Sequence, residues 1–210
     1  AEQAKLTYIC QLVSGVFVEE PQWLKAGMPL DDLFRQFKIK ALTAGVDDVS
    51  YLVGSAGPDG YQDIIAPPNS RPLAAGDVFM LDTGCVWDGY FSDFDRNFAI
   101  HHASDEAHEA HHRLYDATQA AIDILRPGVT AADLFFAMDA ILRPDQHNSN
   151  QHEQISAVKT GDDGVGRYGH GLGTQLTEPP SHTDWDQTVI TAGMTLTLEP
   201  SLGYGNGLTM

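Results

Sequence analysis

Apolar residues recur at helical spacing over residues 1–20. Leu6, Ile9, Cys10, Val13 and Val16 fall near one face, and the spacing predicts a helix. A second helix is expected over LDDLFRQFKIKALTAG, with Pro29 at its start and Gly45 at its end. VSYLVGSAG reads as a short strand and glycine-rich loop, and PDGYQDIIAPPNSRPLAAGD as a long polar connection. VFMLD then reads as a buried strand, and YFSDFDRNFAI alternates at period two. Asp88-Gly89 between them is a two-residue hairpin turn. Ser104 caps a helix over DEAHEAHHRLYDATQAAIDIL that Pro127-Gly128 breaks, and TAADLFFAMDAIL is a fourth helix. RPDQHNSNQHEQ reads as a surface loop, and the last third carries strands around His170 and Glu199.

The hairpin carries the first chemistry. With Asp88 and Gly89 as the loop, Trp87 pairs with Tyr90, Gly84 faces Asp93, and Asp82 faces Asp95. Opposed residues share a face, so Asp82, Asp93 and Asp95 crowd together. Like charges directly opposite in a sheet are destabilising. Either raised pKa values or a bound cation must offset them. Carboxylate oxygens suit a divalent metal, which favours the cation. The alternative is a solvated edge hairpin, and the flanking Phe, Leu, Met and Trp residues argue against it.

Two more ligand types follow. Residues 193–200, GMTLTLEP, alternate as a strand with Thr195, Thr197 and Glu199 on one face and Pro200 closing it. His170 stands between Gly169 and Gly171, where the backbone can pass close to another element. A lone His is more often a satisfied core or surface residue, but a carboxylate cluster shifts the reading towards a ligand. The chain also repeats itself. LKAGMPLDDLF from Leu24 matches LRPGVTAADLF from Leu125, and GDVFMLD ending at Asp82 matches GMTLTLE ending at Glu199. Each half reads helix, turn, helix, strand. A pseudo-two-fold axis between them would bring Asp82 and Glu199 together.

Composition narrows the function class. The formal net charge is −17, from 29 acids against 12 bases, which disfavours nucleic acid and anionic membranes as partners. Cys10 and Cys85 show neither metal spacing nor a disulfide framework, which fits a reducing cytoplasm. No apolar run is long enough for a signal peptide or a membrane span. His108-Glu109-Ala110-His111-His112 satisfies the HExxH pattern of zinc proteases, but its surroundings are polar all round, so a solvated helix face is expected there.

LDTG around Asp82, GYFSDFDR around Asp93, GHGLG around His170 and TLEPSL around Glu199 together resemble the methionine aminopeptidase, prolidase, aminopeptidase P and creatinase superfamily. The resemblance runs in order along nearly the whole chain. It implies an α+β pita-bread fold: two pseudo-symmetric halves, a curved and mostly antiparallel sheet, and outer helices. It implies two divalent ions, Mn, Co, Fe or Zn, held by Asp82, Asp93, His170 and Glu199, with Glu199 also the general base. A second Glu that completes the family's site would lie beyond Met210, so the chain is expected to be one catalytic-type metallohydrolase domain, 1–210, incomplete at its C-terminus. A small peptide or small molecule is the expected partner, with a homodimer left open.

The resemblance has gaps. Where peptidase members place a His before the first metal Asp, this chain has Ile65; where they place one after the metal His, it has Thr177, followed by Glu178. The usual Thr before the Arg of the second motif is Asp95, before Arg96. Asp95, Arg96, Thr177 and Glu178 are therefore expected in the substrate-handling surroundings, with Asp95 orienting Arg96 or adding a ligand. Cleavage of a C–N bond, by default in an Xaa-Pro peptide, is the expected reaction, and ordinary peptides are expected to turn over slowly. The alternatives are a creatinase-like hydrolase or lyase of a small metabolite, and an inactive binding module.

Overall fold

A computed structural model describes residues 1–58, 60–61, 69–144, 166–205 and 207–209. Helix α1 (Glu2–Trp23) buries the stripe Leu6, Ile9, Val13, Val16, Phe17 and Glu20. It outruns the expected helix by one turn and takes in Pro21. Helix α2 (Leu30–Ala44) starts after Pro29, and Gly45 ends it at φ 116°, a left-handed cap that glycine adopts without strain. Both pack on an antiparallel three-stranded sheet, β1 (Asp48–Gly57), β2 (Val78–Trp87) and β3 (Tyr90–Ala99), in that order. Ile9, Val13, Phe17, Leu33, Phe37, Phe79 and Leu81 form the core between them. Strand β1 runs on through Gly54 and Gly57, which the sequence reads as a loop. Gly54 pairs with Leu81, and a Cβ there would strike Met80 O, so a bare α-carbon lets the strands approach.

Helix α3 (Asp105–Ile124) is capped by Ser104, whose Oγ accepts from Ala107 N–H at 3.1 Å. Helix α4 (Ala131–Leu142) opens on a capping box of Thr130 and Asp133. Leu114, Ala117, Leu134, Phe135, Met138, Tyr168 and Ile190 make a second core, with the Phe135 and Tyr168 rings stacked at 4.8 Å. Short pairs complete this half: β4 (His170–Gly171) with β5 (Glu178–Ser181), and β6 (Leu202–Tyr204) with β7 (Gly207–Thr209). The loop expected over 143–154 lies almost entirely outside the described residues.

The expected strand over 193–200 is extended but irregular. Leu172 N–H bonds Thr195 O, Thr197 N–H bonds His170 O, and Glu199 N–H bonds Tyr168 O, yet a single bridge, Gly171 with Leu196, is all that registers as sheet.

The repeat is real at the level of hydrogen bonds. Gly27 N–H bonds Leu73 O at 2.7 Å, and Gly128 N–H bonds Ile190 O at 2.9 Å. Leu73 N–H returns to Met28 O, and Ile190 N–H to Val129 O. Leu30 N–H reaches Arg71 O, and Ala131 N–H reaches Thr188 O, both at 3.0 Å. Gly27 and Gly128 have φ of 85° and 103°, and Gly76 and Gly193 of 91° and 98°. The two halves are thus copies of one supersecondary unit, and Asp82 and Glu199 hold the same place in it.

Candidate metal centre

The turn sets the acid cluster. Asp88 and Gly89 both have positive φ, 48° and 80°, which closes a two-residue hairpin whose twist matches its strands. The resulting register pairs Trp87 with Tyr90, Gly84 with Asp93 and Asp82 with Asp95, as the sequence predicts. The second half supplies the remaining groups. His170 Nε2 lies 3.3 Å from Asp93 Oδ2 and 2.9 Å from Glu199 Oε1. The side chains of His170 and Asp93 are only 3% and 9% exposed.

Burial and crowding distort the titration of all of these groups. Burial, then the charges of Asp93, Asp95 and Glu199, push Asp82 up to about 9, against a hydrogen bond from Tyr51. Burial, then Glu199, raises Asp95 to about 6. Burial also raises Asp93, while His170 opposes it. Burial would push the His170 imidazole down, but hydrogen bonds to Asp93 and Glu199 outweigh it and carry it up to about 9. For Glu199 burial is likewise outweighed, by the His170 hydrogen bond, and the carboxyl is lowered.

These groups fit a divalent cation. One ligand atom each from Asp93, His170 and Glu199 lies within 4.8 Å of the others, the one such cluster of three or more among the described residues. His170 Nδ1 is 2.8 Å from Gly171 O. A carbonyl only accepts, so Nδ1 carries a proton. Without a metal Nε2 carries the second proton and donates towards Asp93 and Glu199, so His170 is the positive group between two acids. A divalent ion on Nε2 would take that proton's place between the same two carboxylates. Oxygen and imidazole donors with this outer hydrogen bond suit first-row divalent metals. Asp82 is outside the three-atom cluster. It adjoins it on the same sheet face and is bonded to Tyr51.

The profile of metallopeptidase family M24 matches residues 4–209. The chain belongs to that family. Among its M24 relatives, the Xaa-Pro dipeptidase of Pyrococcus furiosus is 28% identical over 134 residues, which is 64% of this chain and 35% of that protein. The solved dipeptidase PepE of Mycobacterium ulcerans superposes with a TM-score of 0.83 at 26% identity, over 97% of this chain and 51% of that one. The X-Pro aminopeptidase of Thermotoga maritima MSB8 superposes at 0.85 and 21% identity, over 99% and 56%, a likeness of fold. The fold is therefore the α+β pita-bread fold of M24 proteins. The chain spans roughly a third of the matched dipeptidase and about half of the two solved structures.

The other expected residues divide. Asp95 stands on the acid face, opposite Asp82. Period-two alternation turns Arg96 to the helix side. There its guanidinium lies over the Phe94 and Phe17 rings, 5.0 and 5.9 Å from their centres, and it bonds the backbone O of Asp95 rather than the carboxylate. Glu178 is engaged by its own loop, accepting from Gln175 N–H at 2.9 Å and Thr174 Oγ1 at 3.1 Å. Thr177 Oγ1 accepts from Arg167 at 3.4 Å. Ile65 lies outside the described residues. His108, Glu109 and His112 are exposed on α3 and belong to no metal-type cluster.

Sequence reasoning missed three neighbours. Tyr51 arrives through the β1–β2 pairing. Arg167 holds Thr177, and its charge favours ionised Asp93 and Glu199. His182 is wholly buried behind Thr197. Arg167 and His182 lie close to the GHGLG motif in sequence, and nothing in the sequence pointed to Tyr51.

Proposed function

We propose that residues 1–210 act as one catalytic-type unit of a metal-dependent M24 hydrolase that cleaves a C–N bond, with an Xaa-Pro-type dipeptide as substrate. The observation that carries this is the convergence of Asp93, His170 and Glu199 from two duplicated halves, with Asp82 beside them. Asp82 and Asp93 would hold a divalent pair from one half, and His170 and Glu199 from the other. Manganese, cobalt, iron or zinc all suit these donors. When bound, such ions supply Lewis-acid polarisation and lower the pKa of water.

The chain's own residues do the rest. Glu199 Oε1 is held by Thr197 Oγ1 and faces His170, which leaves Oε2 to take a proton from the attacking water. Gly171 O keeps His170 in the tautomer that presents Nε2. Asp95 shapes the field around Asp82, and Arg167 donates to Thr177 while its charge favours ionised Asp93 and Glu199. The cysteines are unpaired and Cys85 is buried, which suits the cytoplasm. Among the described residues no helix is long and apolar enough to cross a membrane.

A second reading, a small-molecule C–N hydrolase like creatinase, is favoured by Thr177 standing where peptidase members carry a His. The two separate in steady-state kinetics of the metal-loaded protein on Xaa-Pro dipeptides and small amides, with calorimetric titration of manganese. Turnover of Xaa-Pro dipeptides supports the first reading. Amides alone support the second. Absence of any divalent binding overturns both.

A further inference from the structure

Thr197 and His170 face each other where the 195–199 segment runs beside 168–172. An antiparallel pair in that position exchanges two backbone bonds. One is present, from Thr197 N–H to His170 O at 2.8 Å. The reciprocal one is replaced. His170 N–H turns to the Thr197 hydroxyl at 2.9 Å, and Thr197 O is taken by a side chain, with His182 Nε2 at 3.1 Å. The carbonyl only accepts, so His182 Nε2–H is the donor. His182 is wholly buried, and its Nδ1 has no hydrogen-bond partner among the described residues. Gly169 leaves room for the ring, since a Cβ there would lie 2.6 Å from His182 Cδ2.

The exchange reaches the centre in one further step. With its oxygen occupied by the His170 N–H, the Thr197 hydroxyl spends its single proton on Glu199 Oε1, 3.0 Å away. That oxygen is also the one 2.9 Å from His170 Nε2. One hydroxyl therefore ties the backbone of His170 to the carboxylate of Glu199. We propose that His182 is a positioning residue of the metal centre: by drawing Thr197 O out of the ladder it sets the Thr197 hydroxyl between His170 and Glu199, and so fixes how that pair grips a divalent ion. This rests on the metal-site reading above. Burial holds the His182 imidazole down at about 4, so near neutral pH it is uncharged and its one proton stays on Nε2. Without this donor Thr197 O would take the ladder bond back from His170 N–H, and the hydroxyl would lose its seat.

Cobalt(II) is the probe. Its visible absorption reports ligand geometry, and titration calorimetry gives its affinity. His182→Phe keeps a ring and removes the donor; His182→Gln keeps an N–H that can reach Thr197 O. Loss of an outer-shell partner typically lowers metal affinity about 10–100-fold. The Phe variant should therefore bind cobalt at least about tenfold more weakly, with shifted bands. The Gln variant should restore both. A purely structural role would lower urea stability in the Phe variant and leave the bands unmoved. A wild-type spectrum and affinity in His182→Phe overturns the proposal while the metal site stands. No cobalt bound by the wild-type protein overturns both. If the Phe variant does not fold, the Gln variant decides, and weak binding with altered bands there counts against the proposal.

Discussion

Gly54 and Gly169 make the same contact in the two halves. A Cβ on Gly54 would strike Met80 O, and one on Gly169 would strike Thr197 O. Met80 and Thr197 stand two residues before Asp82 and Glu199, so each glycine lets a neighbouring strand press against the segment that carries an acid of the centre. The obstacle is backbone and cannot swing aside. Gly54→Ala and Gly169→Ala should each cost about 1–3 kcal/mol in urea unfolding, the range for overpacking. Gly15, exposed in the middle of α1 with open space around it, is the contrast. Gly15→Ala should stabilise by about 1 kcal/mol. Equal effects at the three positions would refute the close-approach argument.

Metal binding should follow the cluster and ignore the decoy. Asp93→Ala, His170→Ala and Glu199→Ala should each abolish or severely weaken manganese binding in calorimetry. His108→Ala combined with His112→Ala should leave it unchanged, because both side chains are solvated on α3. Loss of metal in the double variant would revive the HExxH site.

Asp82 trades stability for binding. Its carboxyl is buried among Asp93, Asp95 and Glu199. Asp82→Asn removes one acid and leaves the shape, so the metal-free protein should unfold at a higher urea concentration than wild type. The same variant should lose most of the stabilisation that manganese gives wild type, which at a hundredfold excess over Kd is about 2.7 kcal/mol. A metal-free Asp82→Asn protein less stable than wild type would contradict the repulsion argument.

Glu20 should make stability pH-dependent. It continues the buried stripe of α1, neither carboxyl oxygen has a hydrogen-bond partner among the described residues, and burial raises its pKa from 4.5 to about 8. A raised acid binds its proton more tightly folded than unfolded. Its contribution is therefore intact below about 4.5 and is lost as pH rises towards about 8. Glu20→Met, similar in volume, should stabilise by roughly 3–3.5 kcal/mol at pH 7, at about 1.4 kcal/mol per pKa unit. The gain should shrink towards pH 4.5. A pH-independent gain would mean that packing, not ionisation, is responsible.

Thr177 should limit peptide turnover. A hydroxyl cannot carry the positive charge that an imidazolium offers a developing oxyanion. One such donor is typically worth about 10²–10³ in rate. Thr177→His should raise kcat/KM on an Xaa-Pro dipeptide by at least about tenfold. No change would remove Thr177 as the cause of slow peptide hydrolysis.

The acid face was legible because its geometry is local. Asp88-Gly89 fixes the turn, the turn fixes the register, and period two does the rest. The meeting of Asp93 with His170 and Glu199 is not local: the repeat pointed only to Asp82 with Glu199, and the family resemblance supplied Asp93 and His170. Gly54 and Gly57 misled because a missing side chain reads equally as loop or close packing. The 195–199 strand misled differently: its alternation is right, but His182 takes a carbonyl that a regular ladder needs. The same period that placed Asp93 and Asp95 turns Arg96 away. Tyr51, Arg167 and His182 act through partners far along the chain, which no spacing rule reaches.

The two cores are built from separate stretches of chain, one around α1, α2 and the first sheet, the other around α3, α4 and Tyr168. The centre draws its groups from both. An ion there would be a clasp between two lobes as well as a reagent. Chelation would then leave Asp82 and Asp95 facing Glu199 across the seam, with His170 left as the positive group that holds the lobes together. The lobes should part along that line before either interior melts, so cooperativity of unfolding becomes a property the metal confers.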